Sequence, residues 1–138
     1  MKRYVVDASF MIEALTEPDS LASGELTCIL EEVQAGKLEI LAPNILGYEM
    51  ANFFSREQLS KEQGSRLAEQ FNSLPILSVQ FSVGDLLRTV WLARELYVSA
   101  YNATFHLLAL ENDATFLTLD KKYFSKAKIK GAIRLVAA

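Results

Sequence analysis

Short apolar runs alternate along this chain with longer stretches in which apolar residues recur every three or four positions. Tyr4-Val5-Val6, Leu38-Glu39-Ile40-Leu41, Ile76-Leu77-Ser78-Val79, Thr115-Phe116-Leu117-Thr118-Leu119 and Ile133-Arg134-Leu135-Val136 are short, β-rich and bounded by turn-forming neighbours. Runs of that length suit parallel strands that are covered on both faces. Between them the spacing is helical. Leu21 to Ala35 ends at Gly36, a residue free to take the left-handed turn that closes a helix. A second helix is predicted to open with Pro43 near its first position and to run to about Phe54. Ser60 with Gln63, and Ser82 with Asp85, have the spacing of capping boxes, in which two side chains satisfy free amides at a helix start. Ser99 precedes a further periodic stretch with Phe105, Leu108 and Ala109. Strands alternating with helices predict an α/β fold, one domain over residues 1–138 with a central, mostly parallel sheet of about five strands flanked by helices.

In open sheets of this class ligands collect beyond the carboxyl ends of the strands, which singles out two acids. Asp7 directly follows the first strand and Asp120 directly follows the strand Thr115 to Leu119. Either alone is also what a helix cap or turn calls for. Glu49, with Asn52 three residues on, is polar in a helix whose Ile45, Leu46, Met50, Phe53 and Phe54 cover most of the circumference. A carboxylate in such surroundings is costly unless it is paired or bound to a cation; the alternative is a solvated polar stripe. Asn102 stands in the first turn after Ser99, where the helix dipole favours negative charge, and it is the neutral isostere of Asp or simply a capping residue. His106 is the one histidine and reads as a packed or surface residue rather than a ligand.

Composition narrows the chemistry. The 138 residues are 51% hydrophobic and 22% charged, enough for a core without disulfides or a structural metal. One cysteine, Cys28, excludes an internal disulfide and points to a reducing, cytoplasmic setting. Lys2 and Arg3 lead into only three apolar residues before Asp7, too few for a signal peptide, and no apolar run approaches the ~20 residues that span a bilayer. There is no glycine-rich phosphate loop, and one Cys with one His excludes the usual structural zinc site. Asp7-Ala8-Ser9 has the start of the haloacid-dehalogenase nucleophile motif, but Ser9 stands where that motif has its general acid. A net charge of −3 argues against a broad basic face. The charge is uneven, however. Lys121, Lys122, Lys126, Lys128, Lys130 and Arg134 follow Asp120 with no acid among them, either a solvated basic end or the place where a polyanion meets an acidic body.

Taken together, these positions resemble a PIN domain of the VapC type, the ribonuclease toxin of bacterial and archaeal toxin–antitoxin pairs. Tyr4-Val5-Val6-Asp7-Ala8-Ser9 is similar to the family's opening strand, with its first acid and the hydroxyl residue two places on. Ala42-Pro43 through Tyr48-Glu49-Met50-Ala51-Asn52 resembles the second motif. Leu92-Ala93-Arg94-Glu95-Leu96 with Ser99-Ala100-Tyr101-Asn102-Ala103-Thr104-Phe105 resembles the third, and Phe116-Leu117-Thr118-Leu119-Asp120-Lys121-Lys122 the fourth. The resemblance spans nearly the whole chain and implies a single PIN-like domain.

It also implies a metal-dependent endoribonuclease. Mg²⁺ or Mn²⁺ would be held at Asp7, Glu49, Asn102 and Asp120, with Ser9, Asn52 and Thr118 around the acids and Lys121 and Lys122 beside the RNA. Implied partners are RNA, a cognate antitoxin and a second copy in a homodimer, with no membrane. The antitoxin would lie in a groove that the helices Leu21 to Ala35 and Ile45 to Phe54 are apolar enough to supply, unless they simply form the core. The departure is Asn102, where members usually have Asp. Asn offers a carbonyl oxygen but removes one negative charge and cannot accept a proton, so divalent affinity and turnover should fall unless Glu95 or Asp113 substitutes. Two other readings stand beside this one: a catalytically lapsed PIN-like module that binds RNA or an antitoxin without cleaving, and a phosphate-transferring or receiver-like domain with Asp7 or Asp120 as acceptor.

Overall fold

The apolar runs become five strands in a computed structural model that describes residues 1–137: β1 (Lys2–Val6), β2 (Leu38–Pro43), β3 (Ile76–Val79), β4 (Thr115–Thr118) and β5 (Ile133–Leu135). They form one sheet in the order β3-β2-β1-β4-β5, and every pairing is parallel. Seven α-helices connect them: α1 (Ala8–Thr16), α2 (Leu21–Gln34), α3 (Ile45–Phe54), α4 (Lys61–Asn72), α5 (Val83–Leu96), α6 (Ala100–Glu111) and α7 (Lys121–Ala127). A 3₁₀ turn over Lys128–Lys130 leads into β5. The chain winds to one side of β1 through β2 and β3, then crosses back to β4 and β5. With right-handed crossovers this places α1–α4 on one face and α5–α7 on the other, and the packing follows that division, α1 lying against α2 and α3, and α5 against α6.

The helix starts are set locally, as the spacing predicts. Both capping boxes form, Ser60 with Gln63 and Ser82 with Asp85, and Ser99 Oγ accepts from the Asn102 amide. Gly36 takes φ +74° beyond α2, as expected of the closing residue. Two expectations are corrected. Pro43 does not open a helix; it is the last residue of β2, opposite Val79, and the ladder runs on through the Asn44 amide to the Val79 carbonyl at 3.0 Å. The strand after Thr115 stops at Thr118, and the last strand at Leu135. The basic end is built from α7, the 3₁₀ turn and β5, with Lys121, Lys122, Lys126, Lys128 and Lys130 exposed along it.

The core lies on the sheet. Val5, Val6, Ile40, Phe116 and Leu117 are all but inaccessible, and Phe10, Met11, Leu46 and Met50 cover them from the α1–α4 face. The helix α6 is buried on several sides at once, with Ala103, Phe105, His106, Leu107, Leu108 and Ala109 all inside. A helix enclosed in this way holds its first turn, and Asn102 with it, rigidly above the strand ends. No described helix is long and apolar enough to cross a membrane.

Candidate active site

Reversal of the winding direction between β1 and β4 opens the crevice in which α/β sheets bind ligands. An acid follows each flanking strand there, Asp7 one residue beyond β1 and Asp120 two residues beyond β4. The register pairs Val6 with Leu117, so Asp7 and Asp120 leave neighbouring strands side by side. Each begins a helix as well: Asp7 caps α1 and Asp120 caps α7. The cap and the site are the same residue, so the plain structural reading and the functional one hold together.

Asp7 is 6% exposed and almost fully saturated. Its Oδ1 accepts from the Phe10 amide at 2.9 Å and Ser9 Oγ at 2.7 Å, and its Oδ2 from Thr118 Oγ1 at 2.8 Å. The Thr118 hydroxyl in turn accepts from the Asp120 amide at 3.1 Å, and Ser9 Oγ from the Leu119 amide at 3.4 Å. Two hydroxyls thereby lace the ends of β1 and β4 together around one carboxylate. Asp120 Oδ1 accepts from the Tyr123 amide at 2.9 Å, and its Oδ2 faces Asn102 Nδ2 at 3.5 Å.

Charge is held here against its own preference. Burial raises the Asp7 pKa above the ordinary carboxylate value; hydrogen bonds from Phe10, Ser9 and Thr118 oppose the rise, and the Asp120 charge adds to it. Burial likewise raises Glu49, with the Asp7 charge as second cause. Asp7 is thus the acid whose field links the other two. Glu49 Oε1 is buried without a hydrogen-bond partner, and an acceptor so placed lacks a cation or a proton. No three of the described His, Cys, Asp and Glu side chains converge as a ready metal cage. The donor set fits a hard, hydrated divalent ion, which binds through one or two carboxylates and keeps several waters.

Two hollows flank the first turn of α6. One, of about 240 Å³, is lined by Tyr97, Asn102, Asp120, Lys122 and Lys126 among others. The other, of about 440 Å³, is lined by Ile45, Tyr48, Glu49, Asn52 and Tyr101. Lys122 therefore stands beside the acids, whereas Lys121 faces a different depression with Glu13 and Leu119. Of the cations beyond them, Lys126 Nζ donates to the neutral Tyr97 carbonyl at 2.9 Å and keeps its charge in the same hollow as Lys122, whereas Lys130 pairs with Glu95 and Arg134 with Glu25 at 2.8 Å.

Neither proposed stand-in for an acid at position 102 joins the site. Glu95 is taken by Lys130, and Asp113 is exposed with φ +50° just before β4, at the amino edge of the sheet. Helix α3 is less enclosed than its sequence predicts. Leu46 and Met50 are buried, Glu49 is half-buried, and Tyr48 and Asn52 are exposed, because only one side of the helix meets the sheet. His106 is a packed residue, with Nδ1 2.8 Å from the Tyr123 hydroxyl and Nε2 2.8 Å from the Gly131 carbonyl. The sequence reading carries Tyr48 and Tyr101 only as motif neighbours, without a role, and passes over Tyr97. A signal for one of them exists: Tyr97 closes α5 at φ +57°, where glycine or asparagine is the ordinary choice.

No protein-family model and no curated protein matches this chain. Solved structures do. A chain of VapBC2 from Rickettsia felis, crystallised with a DNA fragment from its promoter, superposes with a TM-score of 0.70 at 19% identity, covering 96% of both chains. A toxin–antitoxin complex from Klebsiella pneumoniae gives 0.72 at 14% identity, over 97% of this chain and 98% of that one. FitAB bound to an IR36 DNA fragment gives 0.69 at 16% identity, over 96% and 94%. The chain has the VapC-type PIN fold.

Proposed function

We propose that this chain is a metal-dependent endoribonuclease, the toxin of a toxin–antitoxin pair, with catalysis weakened by Asn102. The observation that carries this reading is Asp7: a buried carboxylate at the switch point of the sheet, framed by Ser9 and Thr118 and coupled by charge to Glu49 and Asp120. A structural cap has no need of two further acids in its field. Asp7, Glu49 and Asp120, with the Asn102 carbonyl, would hold Mg²⁺ or Mn²⁺, and the bound ion supplies an acidified water and neutralises charge on a phosphodiester. Ser9 and Thr118 fix which lone pair of Asp7 points outward. Lys122 and Lys126 line the adjoining hollow, where they balance the backbone charge of RNA. Asn102 turns its amide toward Asp120, donating where an acid would draw in a cation.

The test is cleavage of RNA by the purified protein with Mn²⁺ or Mg²⁺, with and without chelator. The parent is expected to cleave slowly and Asn102→Asp faster; cleavage that survives chelation, or none from either protein, would overturn the reading. The Asn102–Asp120 contact favours a second reading, a lapsed module that holds RNA or an antitoxin without cleaving. Calorimetric Mn²⁺ binding by Asn102→Asp without turnover would favour it.

An antitoxin partner is supported by the structural neighbours, which are themselves toxin–antitoxin complexes. Self-association rests on α5. Its Val83, Leu86, Leu87, Val90 and Trp91 are all exposed and recur at helical spacing, an apolar stripe on the outside of the protein. A second copy of the same helix covers such a stripe by symmetry. Sedimentation equilibrium should give a dimer, and Leu87→Lys a monomer with the same circular dichroism; a monomeric parent rules the dimer out.

A further inference from the structure

The two hollows beside the first turn of α6 offer different chemistry. Lys122 and Lys126 make the one shared by Asn102 and Asp120 suitable for a phosphate. The other has no cation in its lining, which includes two aromatic residues from separate helices, Tyr48 on α3 and Tyr101 on α6. These side chains are 76% and 63% exposed, so they contribute little to the core. Glu49 and the exposed amide of Asn52, which can both donate and accept, line the same hollow. An apolar protein surface would be a poor match for that polar floor. A planar group with polar edges fits it well.

We propose that this hollow seats one unpaired nucleobase of the RNA, stacked on Tyr48 and Tyr101 with its edge toward Asn52, so that the protein selects single strands over duplex. The proposal rests on the ribonuclease reading above and specifies its substrate. Bases within a duplex have both faces covered by their neighbours and cannot enter; unpaired ones stack on aromatic side chains whatever their identity. Tyrosine orders few torsions when it stacks, so little entropy opposes the contact. Tyr101 and Asn102 are consecutive, so a base held on Tyr101 puts the adjoining backbone beside the acids. The phosphate then meets Lys122 on the far side of the same helix turn.

The test separates binding from cleavage. The full chain is titrated, in chelator and low salt, with a single-stranded oligouridylate carrying 2-aminopurine, whose fluorescence falls when it stacks. The parent should bind and quench. Each Tyr→Leu change at positions 48 and 101 should weaken binding by about tenfold and the pair should abolish the quench, while Tyr48→Phe with Tyr101→Phe keeps both. Duplex RNA should bind the parent more weakly than the single strand. The proposal is overturned if the double Leu variant binds and quenches like the parent, or if duplex binds as tightly. A parent that cleaves this strand in Mn²⁺ while the Leu variant binds unchanged removes the stacking site and leaves the nuclease. Binding and quenching with no cleavage, even by Asn102→Asp, does the reverse.

Discussion

Thr118→Val isolates the contribution of one hydroxyl to both stability and metal binding. Thr118 is fully buried; its Oγ1 donates to Asp7 Oδ2 at 2.8 Å and accepts from the Asp120 amide at 3.1 Å. Valine keeps the shape and removes both bonds. A hydrogen bond to an ionised group contributes about 1.5–3 kcal/mol, and taking about 2 kcal/mol with a urea m-value of about 2 kcal/mol/M lowers the unfolding midpoint by about 1 M. The loss depends on pH. The Thr118 bond opposes the burial-driven rise of the Asp7 pKa, so its full value is present only where Asp7 is ionised. As pH falls through the raised folded-state pKa, the difference between parent and variant shrinks toward that of a neutral bond, about 0.5–1.5 kcal/mol. Loosening the carboxylate should also weaken Mn²⁺ binding by about 10–100-fold, as loss of a residue that orients a ligand generally does. Urea unfolding followed by far-UV circular dichroism and Mn²⁺ titration by calorimetry read the two effects. Thr118→Ser should restore the metal affinity. An unchanged midpoint together with unchanged Mn²⁺ affinity would refute the view that Thr118 holds Asp7 in place.

Glu49→Gln removes a carboxylate that burial and Asp7 both disfavour and whose Oε1 has no partner; the thermal midpoint should rise in calorimetry while Mn²⁺ binding weakens. A lower midpoint with unchanged Mn²⁺ affinity would show that Glu49 is a structural ion. Burial, aided by Lys130 and opposed by the Gly131 carbonyl, lowers the His106 pKa below 6.5. The unfolded chain therefore takes up a proton that the folded one refuses, and stability should decline as pH falls below about 6.5. His106→Gln should flatten that acid limb in urea titrations at a series of pH values. Gly64 lies so close to α3 that an added Cβ would stand 2.5 Å from the Phe54 carbonyl oxygen. Gly64→Ala should cost about 1–3 kcal/mol, typical of overpacking, despite alanine's better helix propensity, and a neutral or stabilising change in the unfolding midpoint would refute the close approach.

What the sequence alone determined is local. Capping needs partners three residues apart, so Ser60 with Gln63, Ser82 with Asp85 and the Gly36 stop are legible in the chain and present in the structure. Strand runs are short-range too, and so is the placement of Asp7 and Asp120 just past strand ends. The helices α1 and α7 begin on those same acids, a capping role that their place after strands makes legible alongside the chemical one. Pro43 was ambiguous, since its fixed φ suits either a first helical turn or the end of a strand, and only pairing with β3 chose the strand. Tertiary structure alone made β1 and β4 neighbours, bringing Thr118 to Asp7 across 111 positions. It alone brought the exposed Tyr48 and Tyr101 to one hollow and engaged Lys130 and Arg134 elsewhere. Helical hydrogen bonds and caps act within about one turn, whereas burial, and with it the energy of every carboxylate at this site, depends on which distant segments cover it.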